Sequence, residues 1–271
     1  MSKHYLFENY RKPLYALALV VFFIQLEVKS QSSPDTLRVM SFNILHGATV
    51  RNDFNLDTIA GVINTYKPHL VAMQEVDFKT ARAKEYDLPT EIGYRTKMTS
   101  LFARAMYYDG GEYGEAVLSK YTFVGSENLA LPHLENSEPR AALITRVKTD
   151  KGNTIQFVAT HLDHQKDDTD RKMQANAILV GLKNTKYPTL IVGDLNDGVD
   201  SNTLQILKSK FTKTNHKSAF KNTWPADDPR VDLDHILYNM PEKWQVLDYE
   251  VLCENYASDH CIVIATLVFT P

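Results

Sequence analysis

The sequence predicts an α/β fold, in one domain spanning residues 31–271. Three observations lead there: short apolar runs with strand alternation recur along the chain, helical patterns fill the gaps between them, and no Pro/Gly/Ser-rich linker separates them. With 44% hydrophobic residues in 271, the chain can bury one large core or two modest ones. There is no repeat of fixed period and no low-complexity segment.

Taken in order, residues 1–30 read as a signal peptide. Lys3, Arg11 and Lys12 precede an apolar stretch from Leu14 to Ile24, which has the length of a secretory core and is short for a membrane span. Val28-Lys29-Ser30 places the expected cleavage before Gln31, so the chain should be exported, to the periplasm or beyond. An uncleaved anchor is the alternative. No cysteine follows the apolar stretch, which argues against a lipidated N-terminus.

Five apolar runs then end on polar residues. Leu37–Phe42 ends at Asn43, Leu70–Met73 at Gln74-Glu75, Thr154–Ala159 at Thr160-His161, and Thr189–Val192 at Gly193-Asp194. In the fifth, Ser258-Asp259-His260 leads directly into the strand Cys261–Val268. Val246–Val251 is a further strand. Helices fill the intervals: Asn55 or Asp57 caps one with Leu56, Ile59, Ala60, Ile63 and Tyr66 on its apolar face, ended by Lys67-Pro68. Thr169 or Asp170 caps a second from Arg171 to about Lys183, and Ser201 caps a third through Leu204 and Leu207.

Strand ends gathered on one rim of a sheet are where a rigid scaffold presents chemistry. Here the side chains are hard oxygen ligands and imidazoles, the parts needed to cut a phosphoester: a cation held by carboxylates, a group that orients water, and donors for the developing charge. Glu75 is the expected metal carboxylate, since a full charge at a strand end is costly without a positive partner. Asn43 is either a neutral oxygen ligand or the residue that fixes Glu75.

The succession Asn43, Glu75, His161, Asp194-Leu195-Asn196, Asp234 and Ser258-Asp259-His260 resembles the endonuclease/exonuclease/phosphatase superfamily, over Leu37 to Phe269. Phe42–Gly47, Tyr113–Ser119 and Thr160–His164 are similar to its secreted bacterial members. The resemblance implies a four-layer sandwich: two packed mixed sheets flanked by helices. It also implies a Mg²⁺ or Mn²⁺ cofactor, with Ca²⁺ an alternative, and catalytic roles for His161, Asp194, Asn196, Asp234 and His260. Asp194 orients or deprotonates water, and Asn196 donates to phosphate or holds Asp194. His260 stabilises the pentavalent phosphorus with Asp234 fixing its ring, while His161 assists the leaving group with Glu115 orienting it. Some relatives carry a second acid where Leu45 stands, so water or Asp259 would complete the metal set of Asn43, Glu75 and Asp259.

Further candidates lie beside this set. Arg140 is a phosphate clamp or a surface arginine, and His46, Asp163 and His164 are substrate contacts or supports. His235 is expected to pack on the opposite face of its strand. Two aromatic loops, Tyr107–Gly114 and Thr223–Pro229 with Trp224, are read as determinants of substrate. Cys253 and Cys261 are read first as two buried apolar residues on neighbouring strands, and otherwise as a disulfide bracing the loop between them.

Removing residues 1–30 takes away four basic and two acidic side chains, moving the formal net charge from −3 to −5. That balance lacks the basic footprint of proteins that hold nucleic acid by its backbone. The expected activity is therefore hydrolysis of a phosphomonoester or phosphodiester by in-line attack of water, with a nuclease or a sphingomyelinase-like phosphodiesterase as enzymatic alternatives. A phosphate- or glycan-binding module without turnover is the non-enzymatic one. Small-molecule, lipid-head-group and nucleic-acid esters are all admitted as substrates. No protein partner and no stable membrane insertion after signal cleavage are expected.

Overall fold

A computed structural model describes residues 34–214 and 221–271, so the expected signal peptide lies outside the described residues. The chain opens with β1 (Asp35–Asn43), α1 (Leu56–Tyr66) and β2 (Leu70–Phe78), a crossover that leaves β1 and β2 parallel. Next come α2 (Leu88–Thr96) and the hairpin of β3 (Thr99–Tyr108) and β4 (Gly111–Ser119). The strands β5 (Thr122–Leu131), β6 (Arg140–Lys148) and β7 (Thr154–His161) run antiparallel, and α3 (Thr169–Leu182) carries the chain to β8 (Thr189–Asp194), parallel to β7. It closes with α4 (Asn202–Lys208), β9 (Thr212–Lys213), β10 (Asp234–Tyr238), β11 (Trp244–Leu252) and β12 (Ile262–Phe269).

Two six-stranded mixed sheets result, in the orders β11-β12-β1-β2-β4-β3 and β5-β6-β7-β8-β10-β9. Strand alternation sorts their side chains between layers. Leu37, Val39, Leu70 and Ala72 of one sheet meet Phe157, Ala159, Leu190 and Val192 of the other in the central core. The opposite faces bury Met40, Phe42, Val71 and Met73 under Ile59 and Ile63 of α1, and Val158 and Ile191 under Ile178 and Leu204 of α3 and α4. Residues buried on both faces explain the nearly continuous apolar runs in β1, β2 and β8.

The helices begin where small polar residues can accept backbone N–H groups. Asn55 caps α1 through Thr58 N at 3.0 Å, and Ser201 caps α4 through Leu204 N at 3.2 Å, as read from sequence. In contrast, α3 starts earlier than expected: Asp167 accepts from Thr169 N at 2.8 Å, so Thr169 is the first helical residue rather than its cap. One helix escaped the sequence reading altogether. Asp87 caps α2 through Thr90 N at 3.0 Å and Pro89 stands in its first turn, but the helix has only nine residues and three polar ones between its apolar contacts.

The segment Tyr107–Gly114, read above as a loop, is instead the tip of the β3–β4 hairpin. Asp109 and Gly110, at φ +47° and +80°, make the two-residue turn whose twist matches the flanking strands. Cys253 and Cys261 form a disulfide, which corrects the preference for two unpaired buried residues. Cys261 is buried as expected, but Cys253 follows the end of β11 and lies within bonding reach, with the two Cα atoms 4.1 Å apart.

Candidate active site

The sheet topology brings the polar strand ends together. Asn43, Glu75, His161 and Asp194 lie at or near the C-terminal ends of β1, β2, β7 and β8, whereas Asp234 and His260 stand at the starts of β10 and β12, which run antiparallel to β8 and β1. All six therefore reach one rim. In register, His161 sits opposite Asp194, and Asp194 opposite Asp234.

Asp194 is the hub. Its Oδ2 lies 3.6 Å from His260 Nε2, 3.5 Å from His161 Nε2 and 3.4 Å from Asn43 Nδ2, while Oδ1 accepts from the Asn196 amide at 2.9 Å. Burial pushes its pKa up to about 7 against the opposing effect of the His260 cation. On the far side of His260, Nδ1 donates to Asp234 Oδ2 at 2.9 Å. Burial alone would depress the imidazole, but Asp234 and then Asp194 outweigh it and push the pKa up to about 10. His260 is thus an imidazolium at neutral pH.

The second histidine is neutral. His161 is fully buried, which together with the neighbouring Arg140 cation holds its pKa well below the usual value. Arg140 Nη1 lies 3.0 Å from His161 Nδ1, and a guanidinium can only donate, so Nδ1 is the acceptor, while Nε2 stands 3.5 Å from Asp194 Oδ2. Arg140 also reaches His164 Nδ1 at 3.2 Å and Glu138 at 3.3 Å. At 3% exposed it is no surface arginine. The Asn196 amide group closes the ring, 2.9 Å from His161 Nε2 and 3.0 Å from Leu162 O.

Glu75 faces this ring from β2. Its backbone takes φ +55° where the register of β2 and β4 shifts, and Leu45, His46 and Asn196 also have positive φ, the local strain that clusters at functional sites. Burial raises the Glu75 pKa, yet the facing His46 ring, the Asn43 amide and the His260 cation hold it at about 2. Asn43 Nδ2 donates to Glu75 Oε1 at 3.0 Å, and its own Oδ1 accepts from Leu45 N at 3.1 Å. Of the two roles read for Asn43, this geometry favours fixing Glu75 over ligating a cation.

A cleft of about 330 Å³ opens over these groups, lined by His46, Glu75, Arg140, His161, His164, Asp194, Asn196 and His260 together with Arg82, Met106, Tyr108, Tyr113 and Glu138. The profile of the Endonuclease/Exonuclease/phosphatase family matches residues 40–260, the whole span of the rim. The chain belongs to this family. Among family relatives, the uncharacterized protein YbhP of Escherichia coli K12 is 25% identical over 223 residues, covering 76% of this chain and 86% of YbhP. A Bacteroides thetaiotaomicron endonuclease/exonuclease/phosphatase family protein superposes with TM-score 0.74 at 18% identity, covering 88% of this chain and 99% of the other. A mannosyl-6-phosphatase from the same species gives TM-score 0.71 at 18% identity, covering 86% and 100%.

The family fold does not bring every predicted residue to the cleft. Asp163 is completely buried and tied into the loop before α3, its Oδ1 accepting from Gln165 N at 2.8 Å and its amide donating to Gln174 Oε1 at 2.9 Å. Glu115 lies beneath the cleft with neither carboxylate oxygen hydrogen-bonded, and burial pushes its pKa well above the usual range. It makes no hydrogen bond to His161, contrary to the expected pairing; Arg140 occupies that position. His235 packs away from the rim, as expected, against Asp197 O at 2.8 Å. Trp224 does not line the cleft either: its Nε1 donates to Asp259 Oδ2 at 3.4 Å. Thr223, read in the sequence only as the first residue of that loop, is more central, since its hydroxyl accepts from Leu233 N and Asp234 N and its carbonyl from Cys261 N at 2.7 Å.

The donor set suits a hard divalent cation. One ligand atom each from Asp194, Asp234 and His260 lies within 4.8 Å of the others, and the buried Oδ1 atoms of Asp234 and Asp259 have no hydrogen-bond partner. Asp234 and His260 already satisfy each other, however, so that trio reads first as a charge relay. Glu75 also lines the cleft, with its pKa held at about 2, and could hold a cation. Of the expected trio of Asn43, Glu75 and Asp259, only Glu75 lines the cleft, and the Asn43 Oδ1 already accepts from Leu45 N.

Proposed function

We propose that this chain is an exported, divalent-metal-dependent phosphoesterase that hydrolyses a phosphomonoester or phosphodiester by in-line attack of water. The observation that carries the reading is the opposition, across one cleft, of the Asp194 carboxylate to an imidazolium that Asp234 keeps charged. With its pKa near 7, Asp194 is matched to orient water and accept its proton at neutral pH. His260 donates to a non-bridging phosphate oxygen as charge develops, and the neutral His161 packs beside Asp194 at 3.5 Å. The water oxygen bonds to phosphorus as the bond to the leaving oxygen breaks. A monoester and water thereby yield an alcohol and hydrogen phosphate. Bound at Glu75, with Asn43 fixing the carboxylate, Mg²⁺ or Mn²⁺ would supply neutralisation of phosphate charge. The mannosyl-6-phosphatase among the structural neighbours supports a phosphoester substrate.

Purified protein should turn over members of a panel of phosphomonoesters, phosphodiesters, DNA, RNA and sphingomyelin when Mg²⁺ or Mn²⁺ is present, and lose that activity in chelator. Its mature N-terminus should be Gln31. Asp194→Ala and His260→Ala should each lower kcat by roughly 10²-fold or more. Full activity in both variants would refute the site assignment, and binding without turnover would favour a phosphate- or glycan-binding module.

A further inference from the structure

One wall of the cleft takes no part in the chemistry above. Arg82, on the segment after β2, donates through Nε to Asp77 Oδ2 at 2.7 Å and through Nη2 to Asp77 Oδ1 at 2.9 Å. Asp77 is completely buried and also accepts from the Thr80 hydroxyl at 2.6 Å, while the Arg82 amide donates to Asp109 Oδ2 at 2.7 Å. The guanidinium lies 4.5 Å from the Tyr108 ring centroid and 5.6 Å from that of Tyr113. Four contacts thus fix one planar fork. Its side chain is still 31% exposed, and among the described residues Nη1 makes no hydrogen bond.

The chemistry of this wall bears on which leaving group would fit beside it. A guanidinium already neutralised by a buried carboxylate is poorly suited to a second phosphate, whose charge would need a free cation. What remains is a rigid pair of N–H donors beside the Tyr108 ring, which is 40% exposed, with the Glu138 carboxylate on the same cleft as an acceptor. Hydroxyl groups both donate and accept, and the C–H face of a saturated ring packs on an aromatic face. A nucleobase could also stack and offer in-plane acceptors to the fork, so the preference for a saturated ring rests on hydroxyls that both accept from Arg82 and donate to Glu138. The cleft, at about 330 Å³, is near the lower end of small-molecule sites.

The geometry points to Arg82, with Tyr108, as the specificity determinant for a hydroxylated ring of monosaccharide size on the leaving side of the ester. This inference rests on the phosphoesterase reading. It is tested by comparing kcat/KM for mannose 6-phosphate and glucose 6-phosphate with that for glycerol 3-phosphate and adenosine 5′-monophosphate, in wild type, Arg82→Lys and Tyr108→Ala. Wild type should favour a hexose phosphate by about tenfold or more, and Arg82→Lys, which keeps the charge but loses the fork, should erase most of that ratio through KM. Circular dichroism and Tm identify any variant that fails to fold. A wild type with no preference, or one that favours the nucleotide, overturns the inference, as does an equal loss on every substrate in Arg82→Lys. Absence of turnover on these substrates and on the wider panel of phosphodiesters, DNA, RNA and sphingomyelin defeats the phosphoesterase reading instead. Calorimetry with mannose 6-phosphate then decides the role of Arg82, which requires about tenfold weaker binding to Arg82→Lys than to wild type and is overturned by equal affinity.

Discussion

The charge on His260 depends most on one neighbour. Burial works against an imidazolium, and Asp234, bonded to Nδ1 at 2.9 Å, is the largest influence restoring it. A raised pKa means the cation persists at all pH values below about 10 and is lost above it. Activity that requires this cation should hold on the alkaline side to near that value. In Asp234→Asn the carboxylate is gone while the hydrogen-bond geometry can survive, so the alkaline limb of kcat/KM should move down by more than about one pH unit, a differential interaction of about 1.4 kcal/mol. A pH profile identical to that of wild type would show that Asp234 does not set the charge. Asp194 and Asn196 were legible at the end of an apolar run and His260 just before the start of one, whereas Asp234 was legible only through the family resemblance. Arg140 was less so: its contacts with His161 and His164 span 21 and 24 residues, and nothing local announces them. Arg82 carried no signal at all, since its meaning comes from a buried partner and two aromatic rings supplied by the fold.

Between elements, the site depends on how closely β7 and β8 approach. A Cβ on Gly193 would lie 1.9 Å from Thr160 O, a backbone atom of the adjacent strand that cannot swing aside. Gly193→Ala should therefore cost about 1–3 kcal/mol or more and disturb the pairing of His161 with Asp194, reducing both the urea midpoint and kcat. A variant with wild-type stability and rate would mean that the strands can separate freely here. The apolar runs of β1, β2, β7 and β8 were readable because burial on both faces leaves little room for polar residues. By contrast, the β3–β4 hairpin looked like a loop because aromatic and polar residues mix at its tip, and only the Asp109-Gly110 pair signals a turn. The Cys253–Cys261 pairing was open to sequence only as an alternative. It closes the segment carrying Asp259 and His260, where Ser258 adds a second tie by donating to Asn43 O at 2.7 Å and accepting from His260 N at 3.1 Å.

At the scale of the whole molecule, each sheet supplies half of the site: Asn43, Glu75 and His260 come from one, His161, Asp194 and Asp234 from the other. The Asn43–Asp194 contact at 3.4 Å crosses between them. Bringing the sheets together therefore gathers carboxylates that His260 and Arg140 only partly offset, an arrangement that disfavours the folded state by itself. A cation bound at Glu75 relieves this repulsion and, because the separated sheets cannot present the same set, binds the native state in preference to the unfolded one. At a concentration one hundred times its Kd, such a cation stabilises by about 2.7 kcal/mol. For a domain of this size that corresponds to a rise in Tm of about 5–10 °C. Adding Mg²⁺ or Mn²⁺ to chelator-treated protein should produce this rise, and removing the cation again should reverse it. Glu75→Gln should lose the response and melt below chelator-treated wild type at neutral pH, because a carboxylate whose pKa the fold holds at about 2 stabilises the native state while it is charged. If wild type melts at one temperature with or without the cation, or if Glu75→Gln responds fully, Glu75 is not the cation anchor.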